Sequence, residues 1–94
     1  MTSSHDSWLE LYETCAAAVD ARGLNCPLPL LKTKRAIAPL PPGARVSLMA
    51  TDPGSLRDLS AWAEEAGHAM LCAEEDDTGF RFVFEKDAHT TRMT

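Results

Sequence analysis

The side chains of this sequence best suited to covalent chemistry are its three cysteines, Cys15, Cys26 and Cys72. They are odd in number and far apart in the chain, so they predict free thiols rather than a disulfide framework. No pair of them has the spacing of a zinc site or of a Cys-x-x-Cys redox motif. The sequence therefore predicts thiol chemistry with no metal and no cofactor.

Cys26 differs from the other two cysteines because Pro27 and Pro29 follow it. Proline is tolerated in the first turn of a helix, so we expect a helix to begin at Cys26, with this cysteine as its N-cap. A helix N-terminus favours the thiolate over the thiol. Because the two prolines provide no N–H groups, Leu28 N–H is the nearest candidate donor to the sulfur. We expect a modestly lowered pKa for Cys26.

The kind of thiol chemistry follows from what surrounds Cys26. A cysteine hydrolase requires a general base, and the histidines do not supply one. His5 and His89 lie in predicted tails, and His68 follows the second helix at the end opposite Cys26. A lone activated cysteine suits the reversible carriage of a group, for which a persulfide is one form. Cys15 and Cys72 lie in or beside predicted strands and are interpreted as small buried hydrophobes.

The elements that position Cys26 alternate along the chain. Proline, glycine and capping residues separate segments of helical and alternating hydrophobic periodicity. Strands are predicted over 16–20, 45–50, 68–75 and 80–84, and helices over 26–38 and 53–66. Asp52 is the expected N-cap of the second helix, whose buried stripe comprises Leu56, Leu59, Trp62, Ala63 and Ala66.

This βαβαββ order predicts the α/β (α+β) class. Alternating strands bury one face of a sheet and expose the other, so both helices are expected on the same side. The result is a two-layer sandwich, with a four-stranded mixed sheet and two helices on one face. Residues 15–86 are expected to form the domain, 1–14 a partly mobile N-terminal extension and 87–94 a polar tail.

Charge is distributed unevenly along the chain. The net charge is −5, which argues against nucleic-acid binding. No acidic residue lies between Ala21 and Thr51, and this segment holds Lys32, Lys34 and Arg35. We interpret these three residues, together with an exposed apolar Leu28 beside the thiol, as a docking surface for an acidic partner. A solvated helix face is the competing interpretation of the basic cluster.

The residues around Cys26 resemble a known family. The run from Asp20 to Pro29 reads Asp-Ala-Arg-Gly-Leu-Asn-Cys-Pro-Leu-Pro. It is similar to the signature of the TusA family of sulfur carriers, also called SirA-like or YedF-like, and the similarity extends over about residues 16–85. The resemblance implies that Cys26 accepts sulfane sulfur as a persulfide from a cysteine desulfurase or rhodanese. It also implies transfer to an acceptor protein, as in tRNA thiolation or sulfur oxidation, and thus a sulfurtransferase-type relay.

The remaining residues of the loop are expected to support the thiol. Asp20 is expected to organise the loop through hydrogen bonds to backbone N–H groups, and Arg22 to add positive charge near the sulfur. Gly23 is expected to support a turn that a Cβ would obstruct. Leu24, Pro27 and Pro29 complete this supporting set.

Two other functions remain open on the sequence alone. One is a non-catalytic regulatory or protein-interaction module with the same fold, and the other is a nucleic-acid-binding domain, which the acidic charge disfavours. The sequence shows no apolar segment typical of a signal peptide or a membrane span. Together with the free thiols, this predicts a cytoplasmic protein with no membrane partner and no direct nucleic-acid partner.

Overall fold

The computed structural model describes residues 11–87, which form the predicted order βαβαββ. The strands are β1 (Ala17–Ala21), β2 (Arg45–Ala50), β3 (Ala69–Asp76) and β4 (Gly79–Glu85), and the helices are α1 (Leu28–Ile37) and α2 (Ser55–Ala66). The predicted fold class is thereby confirmed. Residues 1–10 of the predicted extension and 88–94 of the predicted tail lie outside the described range.

The four strands form one mixed sheet in the order β1-β2-β4-β3. The central strand β2 pairs parallel with β1 and antiparallel with β4, and β3 pairs antiparallel with β4. In the β2–β4 register, Leu48 lies opposite Phe82 and Val46 opposite Phe84. These four side chains are fully buried and form the centre of the core.

Both helices pack on this apolar face. Helix α1 buries Pro29, Thr33 and Ile37. Helix α2 buries Leu59 and Ala63.

Trp62 lies beside the α2 stripe and contacts Phe84 edge to face, with ring centroids 5.4 Å apart. The predicted burial of Leu56 and Ala66 is wrong, since Leu56 is 43% exposed and Ala66 is also exposed. The buried stripe follows the i, i+4, i+8 series that starts at Ser55, and Leu56 lies about 100° around the helix from it.

Both helices begin two residues later than predicted. Pro27 is the N-cap of α1 and Gly54 that of α2, and neither cap uses a side-chain hydrogen bond. A turn precedes each helix. Leu28 N–H donates to Asn25 O, and Asp52 Oδ2 accepts a hydrogen bond from Gly54 N–H. The hydrogen bonds of these turns replace the caps that the sequence predicts.

The second face of the sheet is less open than the alternation predicts. It carries charged side chains such as Arg81, which pairs with Glu74 and Asp76. At its centre, however, Ser47 and Val83 are buried. The Arg81 side chain is itself only 14% exposed, and its carboxylate partners compensate its charge there.

The end of β4 is attached to the segment that follows α1. Lys86 Nζ donates to Ala38 O and to Leu40 O, both at 2.7 Å. The backbone of Lys86 also exchanges hydrogen bonds with Gly43 and Ala44. Within the described residues, neither helix has the length and apolar character required to cross a bilayer.

Candidate thiol site

The parallel strands β1 and β2 bring two loops to one edge of the sheet. Each strand is followed directly by a helix, and the carboxyl ends of parallel strands lie at the same edge. The loop after β1 carries Cys26, and the loop after β2 leads into α2. Gly23 N–H donates to Thr51 Oγ1 at 2.9 Å and so joins the two loops.

Asp20 organises the cysteine loop as predicted. Its Oδ1 accepts hydrogen bonds from the backbone N–H and the Nε of Arg22, and its Oδ2 accepts one from the Arg22 guanidinium at 2.8 Å. The bonds from Arg22 lower the pKa of Asp20 to about 2. Arg22 is therefore paired with Asp20, and its predicted contribution of positive charge at the sulfur is wrong. The cation that acts against the rise in the pKa of Cys26 is Arg57.

Gly23 is required by its backbone conformation rather than by space. Its φ is +83°, in the region that favours glycine, but an added Cβ would meet no atom within 4 Å. The predicted turn is confirmed, and a Cβ would strain it through this backbone conformation rather than through a clash with a neighbouring side chain. The next residue, Leu24, packs against the core and its N–H donates to Ala21 O, so it anchors the loop.

Cys26 is exposed and lies where the starts of the two helices meet. Its Sγ donates a hydrogen bond to Asp58 Oδ2 at 2.8 Å. The two residues line one narrow cleft between the helix starts. The cleft is lined by Cys26, Pro27, Pro29, Leu30, Asp52, Ser55, Asp58 and Leu59.

The pKa of Cys26 is raised, and the predicted lowering is wrong. The largest cause is the hydrogen bond to Asp58; desolvation and the negative charges of Asp58 and Asp52 add to it, and Arg57 opposes it. A carboxylate that accepts a hydrogen bond from the thiol stabilises the neutral form of the cysteine.

The position of Cys26 explains why the helix does not reverse this effect. Cys26 precedes the N-cap of α1, whereas the favourable field is strongest within the first turn. Leu28 N–H, the predicted donor to the sulfur, donates instead to Asn25 O.

The sequence analysis missed Asp58. This residue lies in the first turn of α2, and the chain separates it from Cys26 by 32 positions. The available signal was the topology: two helices that follow neighbouring parallel strands begin at the same edge of the sheet, so polar residues in their first turns come close together.

The other two thiols are half-buried, which is less than their interpretation as small buried hydrophobes predicts. Cys15 Sγ donates to Leu11 O at 3.3 Å. Burial raises the pKa of both, that of Cys72 to about 11. Cys26 therefore combines the greatest exposure with a position in a cleft.

His68 has a structural environment away from the cleft. Its Nδ1 accepts a hydrogen bond from Asp87 N–H, and its ring lies 5.1 Å from that of Trp62. His5 and His89 lie outside the described residues. Among residues 11–87, no three histidine, cysteine or acidic side chains cluster as metal ligands would.

The proposed docking residues are all exposed on α1. Leu28 is 46% exposed, as predicted. Lys32 and Arg35 line a groove beside β1 with Asp20, whereas Lys34 is not part of that groove. Lys32 and Arg35 therefore lie at the groove, and Lys34 lies outside it. The docking role of these three residues stays a prediction.

A family model described as sulfurtransferase TusA matches residues 17–86, from the start of β1 to just beyond β4. The chain belongs to the TusA family. The matched region of this TusA-family protein includes both the cysteine loop and Asp58.

Curated relatives agree with this assignment. Sulfur carrier protein TusA of Allochromatium vinosum is 38% identical over 68 residues, which cover 72% of this chain and 90% of the relative. Putative sulfur carrier protein YrkI of Bacillus subtilis is 43% identical, covering 72% and 91%. Sulfur carrier protein TusA of Pseudomonas putida is 35% identical, covering 77% and 90%. These relatives support a sulfur-carrier role for this TusA-family protein, which implies a sulfur donor and a sulfur acceptor.

Proposed function

We propose that this protein carries sulfane sulfur as a persulfide on Cys26. The observation that carries the proposal is the exposure of this thiol in a cleft between two helix starts, since Cys15 and Cys72 are half-buried. The Cys26 thiolate attacks the outer sulfur of a donor persulfide. A new S–S bond forms at Cys26, the S–S bond of the donor breaks, and the donor thiolate leaves and takes up a proton. The protein acts as a sulfurtransferase-type relay.

The chemistry of this step defines the partners. The donor must present a persulfide on a protein, as a cysteine desulfurase or a rhodanese does. The acceptor is a protein of tRNA thiolation, sulfur oxidation or related sulfur trafficking. Exposed Leu28 near the thiol and the cations Lys32, Lys34 and Arg35 are suited to an acidic partner surface with an apolar centre. Free thiols are typical of the reducing cytoplasm, where we place the protein.

Mass spectrometry tests the site assignment. The protein is incubated with a cysteine desulfurase and cysteine, and its intact mass is measured before and after treatment with a reductant. We expect a reversible gain of about 32 Da per sulfur atom in the wild type, because a persulfide is a reversible modification. Cys72→Ser should gain the same mass, and Cys26→Ser should gain none. Sulfur found chiefly on Cys15 or Cys72 would contradict the proposal.

A further inference from the structure

We propose that Asp58 sets the sulfur-exchange equilibrium of Cys26 by stabilising the empty thiol and destabilising the loaded persulfide. The proposal rests on the proposed function and names the residue that makes the carrier release its sulfur readily. Asp58 lies on a different element from the cysteine and outside the motif that surrounds it.

The empty form is stabilised by a direct contact. Cys26 Sγ donates to Asp58 Oδ2 at 2.8 Å, and the carboxylate makes this a charge-assisted hydrogen bond. The Asp58 side chain is only 27% exposed, so solvent screens its charge incompletely. A thiol has the proton that this bond requires.

The loaded form loses that contact. A persulfide is more acidic than its parent thiol, because the negative charge on the terminal sulfur is better stabilised. At neutral pH it is therefore an anion and has no proton to donate to Asp58. The like charges of Asp58 and Asp52, which both line the cleft, then repel it.

Few backbone donors near the cysteine oppose this repulsion. Pro27 and Pro29 have no N–H, and Leu28 N–H already donates to Asn25 O. Arg57 is the nearby cation, but its side chain is 86% exposed and its Nε lies 3.8 Å from Asp58 Oδ1. The balance of charges around Cys26 therefore favours the thiol over the persulfide anion.

The exchange is balanced without an oxidant or reductant. With glutathione persulfide as the probe, its anion and the Cys26 thiol give the Cys26 persulfide anion and glutathione. One S–S bond breaks and another forms, and the proton of Cys26 passes to glutathione. In the empty carrier the Cys26 thiol donates a hydrogen bond to Asp58. In the loaded carrier a persulfide anion lies beside the Asp58 carboxylate. The equilibrium constant reports the difference in free energy between these two states.

The test measures this equilibrium in the full-length protein. Wild type and Asp58→Asn are incubated with a fixed ratio of glutathione persulfide to glutathione, and the loaded fraction is determined by intact mass. We expect the ratio of loaded to empty protein to rise about tenfold in Asp58→Asn, the size of effect that loss of a charge-assisted hydrogen bond can produce. Glu65→Gln removes the same charge from an exposed site on α2 and should leave the ratio unchanged.

A second measurement separates this inference from the proposed function. The rate of alkylation of Cys26 is followed against pH in the absence of any sulfur donor. The charged groups that act on this thiol are Asp58, Asp52 and Arg57, and Asp58 has the largest effect. The midpoint of the curve of alkylation rate against pH should therefore shift to lower pH in Asp58→Asn and stay in place in Glu65→Gln. Equal loading of wild type and Asp58→Asn, or an unshifted midpoint, would overturn the inference even if Cys26 carries sulfur. If the wild type takes up no sulfur, but the alkylation midpoint of Asp58→Asn still shifts as expected, the proposed function is overturned instead.

Discussion

Replacement of Lys86 by methionine should destabilise the domain, because it removes two hydrogen bonds that join the end of β4 to the end of α1. Its ammonium group donates to Ala38 O and Leu40 O, the carbonyl groups where α1 ends. Methionine keeps the aliphatic stem and removes both donors. Water can replace the exposed bond to Ala38, but the bond to Leu40 is partly buried and is replaced less well. The loss of a hydrogen bond to a charged group costs about 1.5–3 kcal/mol, so we expect a loss of about 2 kcal/mol.

This loss is measurable by urea denaturation and by thermal unfolding followed by circular dichroism. For a domain of this size, 2 kcal/mol corresponds to a decrease in Tm of about 8–16 °C. Lys34→Met is the matched control, because Lys34 is an exposed lysine in the last turn of α1 and its removal changes the net charge equally. Equal stability of the two variants would refute the reasoning, since of these two lysines it is Lys86 that donates to the carbonyl groups at the end of α1.

Two further predictions concern docking and the sheet. Reversal of charge at Lys32 and Arg35, which line the groove beside β1, should slow sulfur transfer by about tenfold at low salt and much less at high salt, because exposed charges act mainly on association. Unchanged transfer at low salt in a stopped-flow assay would show that these cations are only a solvated helix face. Gly79→Ala should cost more than about 2 kcal/mol of stability, because its φ is +136° and a Cβ would lie 2.5 Å from Ala50 O. Gly43→Ala shares a positive φ but has open space, so urea denaturation should show a smaller loss, and equal losses would contradict the steric argument.

The fold was predictable because hydrophobic periodicity and chain punctuation agree along this sequence. The alternation of Phe80, Phe82 and Phe84 predicted β4, and Gly67 predicted the end of α2, where it adopts a positive φ of 82°. The helix starts were predicted less well. Proline and aspartate favour both caps and turns, and the hydrogen bonds that decide between them depend on the folded backbone.

The site was predictable in part for the same physical reason. The neighbours of Cys26 along the chain indicated the candidate loop and the hydrogen bonds that Asp20 makes within it. The protonation of the sulfur depends on Asp58, whose proximity results from the packing of α1 and α2 on one sheet. A local motif contains no information about a charge that comes from another helix. The predicted direction of the Cys26 pKa failed for this reason.

The long-range contact between Cys26 and Asp58 also couples the thiol to folding. In an unfolded chain the two residues are apart, so Cys26 has its ordinary pKa, whereas the folded state raises it. The stabilisation from this contact is fully present below the ordinary pKa and is lost as pH rises through the raised pKa. Between these two values an incompletely folded chain has more thiolate than a mature one. The alkylation rate of Cys26, measured within this pH window, should therefore fall as the contact with Asp58 forms and can report on folding.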